Sequence, residues 1–259
     1  MEILFLIAVL GVLVGFVSGL LGIGGGIVMA PLLLLIPPLF GLAPLSMHEV
    51  AGLTIVQGLA ACISGTMVHR RFKAVSTSLA IWMGVSIFVA AGVGGAGAAL
   101  VGNRLLLAIF AAMAVSAAIM ICCPVGREEE HPDAAGIDFS RIRAVTTAAG
   151  VGLLGGLVGQ GGSFILIPLM IKFVRVPSRV AMGSNLAIVL LSTLAAFIGK
   201  AITGQIAWLP AMVIALTVPG ATWLGGLMSH RLPVALLRKV LALFISLAAL
   251  KICWSLYSG

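Results

Sequence analysis

Two stretches of the chain carry groups that could hold an anion without a buried charge. Gly15 to Leu32 reads GFVSGLLGIGGGIVMAPL, and Gly152 to Leu169 reads GLLGGLVGQGGSFILIPL. Gly15, Gly19, Gly22, Gly24, Gly25 and Pro31 recur 137 residues on as Gly152, Gly156, Gly159, Gly161, Gly162 and Pro168. A helix that starts at a glycine tip presents unpaired backbone N–H groups and the positive end of its dipole. Such a terminus binds anions directly. Gly24, Gly25, Gly161 and Gly162 have no side chain, so an oxyanion can approach their backbone. Gln160 and Ser163 add side-chain donors in the second copy, where the first has Ile23 and Gly26. The competing reading is that the glycines only let helices pack closely.

The helix after each tip supplies further polar groups. Thr54, Gln57 and Ser64 share one face by helical spacing, as do Asn185 and Ser192. Thr54 and Asn185 correspond at an offset of 131. Polar side chains in an apolar helix face a cavity or a neighbouring helix, and plain interhelical hydrogen bonding stands beside ligand binding as their role. The candidate substrate-binding set is therefore Gly24, Gly25, Thr54, Gln57, Gln160, Gly161, Gly162, Ser163 and Asn185.

The elements that position these groups lie in a membrane. The 259 residues are 61% hydrophobic and 8% charged, with mean hydropathy +1.26; soluble chains average about 25% charged. An all-α polytopic membrane protein is the expected class. The net charge of +8 sits in short loops between apolar runs, so it reports topology and not nucleic acid. Apolar segments are expected at 3–21, 27–36, 50–68, 75–101 and 105–123. Their counterparts are 144–158, 164–174, 180–199, 206–229 and 233–256. Breaks fall at 22–26 and 159–163, and Pro37 and Pro38 should end the second piece. Residues 1–123 form a first repeat, 124–143 a polar cytoplasmic linker, and 144–259 a second repeat.

Charge chooses between two topologies. If each glycine break only kinks one span, 8 of the 15 Lys and Arg residues share a side. If each break is the tip of a re-entrant or hairpin pair, each repeat has five segments and the second is inverted. Then 12 of 15 share a side, leaving only Arg104, Lys200 and Lys251. The positive-inside rule favours two inverted repeats with both termini away from the cytoplasm. Paired broken helices of this kind point to a transporter's binding site near the bilayer midplane.

Other residues limit the chemistry. Glu2, Glu49, Glu128, Glu129, Glu130, Asp133 and Asp138 all fall outside the apolar segments, which argues against a cation pump. His48 and Glu49 begin a helix, where capping is the expected role. His69 and His230 flank basic loops and are expected in solvent. Cys62, Cys122, Cys123 and Cys253 show no CxxC spacing and read as small buried hydrophobes. The N-terminus has no basic n-region and runs into the repeat, so a cleaved signal peptide is not expected. GVGGAG at 92–97 and GVGLLG at 150–155 match a dinucleotide fingerprint but follow no soluble strand, and read as packing surfaces. No hydrolase constellation occurs, so no catalytic residue, metal or cofactor is expected.

The doubled glycine-rich opening with its proline, the helix starts VAG (50–52) and VAMGSN (180–185), and the length together resemble the sulfite exporter TauE/SafE family, also called the four-toluene-sulfonate uptake permease family. The resemblance covers nearly the whole chain, and the duplication with paired glycine clusters is its specific part. It implies transport of small sulfur-containing anions such as sulfite or an organosulfonate, with export the expected direction. An importer or proton-coupled carrier of another anion, and an anion channel, are the alternatives. Expected partners are that anion and the lipid bilayer of the inner membrane. A homodimer is kept open as an assembly.

Overall fold

In a computed structural model the chain is described over residues 2–72, 74–122, 137–158 and 162–258. Most of the expected linker, with Glu128 to Glu130, lies outside the described residues, as do Gln160 and Gly161.

The described residues are helical. The first half holds α1 (Glu2–Leu21), α2 (Gly26–Leu39), α3 (Met47–Arg71), α4 (Thr77–Gly97), a 3₁₀ turn at Ala98–Leu100, and α5 (Asn103–Cys122). The second holds α6 (Arg141–Val158), α7 (Ser163–Leu169) running on as a π turn to Val174, α8 (Ser178–Ile202), α9 (Trp208–Ser229) and α10 (Val234–Ser258). Among them α1, α3, α4, α6, α8 and α9 are long and apolar enough to cross a membrane. Their outward faces are apolar as well. Ile81, Val85, Val89 and Val93 on α4 form an exposed stripe at four-residue spacing. A helix apolar on every side belongs inside a large core or in lipid.

Local chemistry explains the ends. At the start of α3 the Ser46 hydroxyl accepts the Glu49 N–H at 3.3 Å, and Glu49 Oε2 accepts the Ser46 N–H at 2.8 Å. This reciprocal capping box is the role expected of Glu49. The prolines behave otherwise than expected: α2 runs through Pro37 and Pro38 to Leu39. They fall in its last turn, so only two backbone hydrogen bonds are lost before the chain leaves the helix anyway. Phe40 N–H then closes onto the Ile36 and Pro37 carbonyls. His69 also departs from expectation. It is 2% exposed, with Nε2 3.2 Å from the Gly19 carbonyl.

Glycine notches fix the packing. A Cβ on Gly15 would stand 3.1 Å from the Val218 carbonyl oxygen, and one on Gly19 would overlap the Thr222 carbonyl. In the other half, a Cβ on Gly152 would stand 2.8 Å from the Ile87 carbonyl, and one on Gly156 would overlap the Ala91 carbonyl. Rising numbers on α1 meet rising numbers on α9, so the two run parallel, as do α6 and α4. At the centre, Gly52 lies against the Gln205 carbonyl and Gly183 against the Ala74 carbonyl. Here α3 and α8 run antiparallel. Each of these contacts has its partner contact at the offsets of 137 or 131 seen in the sequence. For these six glycines the close-packing reading is the right one.

Candidate functional site

The first tip is a tight backbone turn between α1 and α2. Gly22, Gly24 and Gly25 have φ of 69°, 65° and 77°, a left-handed backbone that glycine adopts without strain. Glu2, Phe5, Leu6 and Val9 of α1 line one groove with Phe40 and Leu42, which follow α2. The beginning of α1 and the end of α2 are therefore neighbours, and the pair is a hairpin. The 14 residues of α2 span about 21 Å, short of a full crossing.

The tip meets the middle of the two central helices. A Cβ on Gly24 would stand 3.4 Å from Ser163 Oγ and 3.5 Å from Cys62 Sγ. One on Gly25 would overlap Gln57 Nε2. The Gly25 carbonyl accepts the Val28 and Met29 N–H groups at 3.0 and 2.9 Å. Gly26 and Ile27 stand ahead of it, where a helix offers their N–H groups no acceptor. The second tip touches the first: Ser163 at the start of α7 donates its hydroxyl to the Ile23 carbonyl.

The side chains divide by what their donors already do. Thr54 Oγ1 donates to Ala51 within its own helix at 3.2 Å. Asn185 Nδ2 donates to the Gly22 carbonyl at 2.6 Å and leaves Oδ1, an acceptor, without a partner. Ser163 spends its donor on Ile23. Gln57 differs: it is fully buried, and neither Nε2 nor Oε1 has a hydrogen-bond partner. Of the described candidates, Gln57 alone has a side-chain nitrogen with no partner at all, and it lies at Gly25. Gly162, with φ 67°, packs against α6: a Cβ there would overlap Val151 Cγ1 and stand 2.9 Å from the Val151 carbonyl.

The family model described as sulfite exporter TauE/SafE matches residues 7–252. The chain belongs to that family. Similar curated proteins are named as probable membrane transporter proteins. One, YunE of Bacillus subtilis (strain 168), is 26% identical over 98% of this chain and 97% of its own. Another, from Xylella fastidiosa (strain Temecula1 / ATCC 700964), is 28% identical over 94% of this chain and 92% of its own. No solved structure matches. This TauE/SafE member is thus a multi-pass membrane protein of a transporter family.

Two site features of this TauE/SafE chain escaped the sequence reading. Cys62 and Thr193, equivalent at the 131 offset, lie side by side at the tip, with the Thr193 hydroxyl donating to the Val189 carbonyl at 2.9 Å. Gly58 sits beside them, its Cβ position 3.3 Å from Thr193 Cγ2 and 3.8 Å from the Gly24 carbonyl. Applying the offset to Cys62 would have found the first. Nothing in the sequence marks Gly58 apart from the other glycines of the chain.

Proposed function

We propose that this protein moves a small sulfur-containing oxyanion, such as sulfite or an organosulfonate, out of the cell across the inner membrane. The anion binds at the α2 tip, held by the Gly26 and Ile27 N–H groups and the Gln57 amide. The observation that carries this reading is the fully buried Gln57 amide with no partner at either end, lying over Gly25. A buried amide left unsatisfied costs about 1–3 kcal/mol. An oxyanion at the tip would accept from the Gln57 Nε2 donors and from the helix terminus together. With a negative interior, each net charge leaving gains about 2.3 kcal/mol per 100 mV, so the membrane potential suffices to drive export.

Alternating exposure of one central site suits two inverted repeats. The antiparallel run of α3 against α8 supports that reading. Equivalent helices packed antiparallel are related by a two-fold axis across them, which in a bilayer lies in the membrane plane. Arg70, Arg71, Arg179 and Arg231 gather at one end, where Ser76 N–H meets Ser184 Oγ and Arg179 meets the Leu232 carbonyl. That end is the cytoplasmic one by the positive-inside rule. A label after Gly259 should react from outside and one at Glu129 only from inside. Labelling of both from one side would return the chain to parallel repeats.

The site itself is tested with Gln57→Leu in proteoliposomes loaded with labelled sulfite, sulfate, thiosulfate and sulfonates. One hydrogen bond to a charged ligand contributes roughly 1.5–3 kcal/mol, so the apparent affinity should fall about tenfold or more. Thermal stability should hold or rise, because an unsatisfied amide is removed. Unchanged transport would make Gln57 a packing residue. Saturable flux marks a carrier, and ohmic current would mark a channel.

A further inference from the structure

Lys200 is the one lysine among the described residues buried to 4% exposure, in the last turn of α8. Its ammonium donates to Gln205 Oε1 at 2.9 Å, and Gln205 Nε2 is occupied by Thr203 Oγ1 at 2.8 Å. No carboxylate pairs with it among the described residues. An ammonium has three N–H donors, and one neutral acceptor leaves both donors and charge over. Burying an unpaired charge is costly unless a counter-charge is at hand.

Its position tells what that counter-charge is. The Gln205 carbonyl lies on Gly52 of α3, five residues before Gln57, or about 8 Å along the helix. Lys200 is also the counterpart of His69 at the 131 offset, at the opposite end of the α3–α8 pair. We propose that Lys200, oriented by Gln205, is a second anion station. It holds the transported anion between the α2 tip and the side away from the arginine-rich end. This rests on the tip reading above. A lipid phosphate offers the same chemistry, but a side chain only 4% exposed is closed to the bilayer surface where headgroups lie. The assignment also gives a reason for a lysine on the face where basic residues are sparse.

The test uses the full chain in phosphatidylcholine proteoliposomes with labelled sulfite, or with whichever anion of the panel the parent carries. Lys200→Gln should lower the initial rate at subsaturating anion tenfold or more, and Lys200→Arg should keep at least a third of it. Gln205→Glu is the decisive variant. It sets a carboxylate against the ammonium with no change of shape, so it should lower the rate as Lys200→Gln does while leaving the unfolding temperature equal or higher. A purely structural lysine predicts normal transport from a chain so stabilised, and that result overturns the proposal. If Lys200→Gln fails to reach the membrane, Gln205→Glu decides alone. A defect seen only when phosphatidylglycerol is added assigns the charge to lipid and also overturns it. With Gln57→Leu impaired and both Lys200→Gln and Gln205→Glu normal, only the second station fails. A parent that carries no anion removes the tip reading as well.

Discussion

Gly19→Val is expected to remove the folded protein from the membrane. A Cβ on Gly19 would overlap the Thr222 carbonyl and stand 2.8 Å from its carbon and 2.9 Å from the Gly226 nitrogen. These are backbone atoms of α9 and cannot rotate away. From the other side, a Cβ on Gly225 would overlap the Phe16 carbonyl, so both helices are notched at one crossing. The helices would have to separate, breaking the 3.0 Å bond from Thr222 Oγ1 to the Gly15 carbonyl and the contact of His69 with Gly19. Overpacking typically costs about 1–3 kcal/mol, and a branched side chain against backbone lies at or beyond the upper end. Gly19→Ala should lower the unfolding temperature, and Gly19→Val should leave no monodisperse protein on size-exclusion chromatography in detergent. The control is internal. A Cβ on Gly92 or Gly220, both in helices, meets nothing within 4 Å. Alanine there should be neutral or stabilising by up to about 1 kcal/mol through helix propensity. Equal damage from Gly92→Ala and Gly19→Ala would refute the notch.

Gly25→Ala should do the reverse, leaving folded protein in the membrane with little affinity for anion. The left-handed φ of 77° makes alanine cost about 1–2 kcal/mol, which a large helical protein can absorb. The new methyl meets the far end of the flexible Gln57 side chain. That side chain can move, and in moving it takes the amide from the tip. Losing one hydrogen bond to a charged ligand corresponds to roughly 1.5–3 kcal/mol, so affinity should fall about tenfold to a hundredfold. Gly162→Ala offers the contrast, since its methyl meets Val151 and the α6 backbone. It should cost stability first. Binding by purified Gly25→Ala equal to the parent's would mean that the α2 tip is not the site.

Much of the helical plan was legible because it follows from composition and chain breaks. Long apolar runs had to be membrane helices, and the glycine clusters had to interrupt them. Ser46 and Glu49 are three residues apart, a local relation that the sequence displays. What could not be read is which glycine does what. Gly19 and Gly25 belong to one repeated motif, yet one is a notch for a helix more than two hundred residues on and the other a left-handed turn. Only tertiary contact separates them. The polar face was visible too, but not that Thr54 spends its donor on its own helix and Asn185 on Gly22. His69 looked solvated because basic residues follow it; packing against α1 buries it instead. Lys200 counted in the sequence only as an exception to a charge rule.

Each half of the chain places the notched face of its first helix on the fourth helix of the other half, α1 on α9 and α6 on α4. Neither half closes its own surface, and the sequence repeat marks the two as copies. A forebear with a single copy would have exposed both notched faces and could have covered them only with those of a second molecule. It would have lived as an interlocked pair from the start. Fusion of two such copies would have changed the stoichiometry, left the architecture alone and freed the copies to diverge. Gln57 has Ile188 as its equivalent at the 131 offset, a difference that no pair of identical chains could have held.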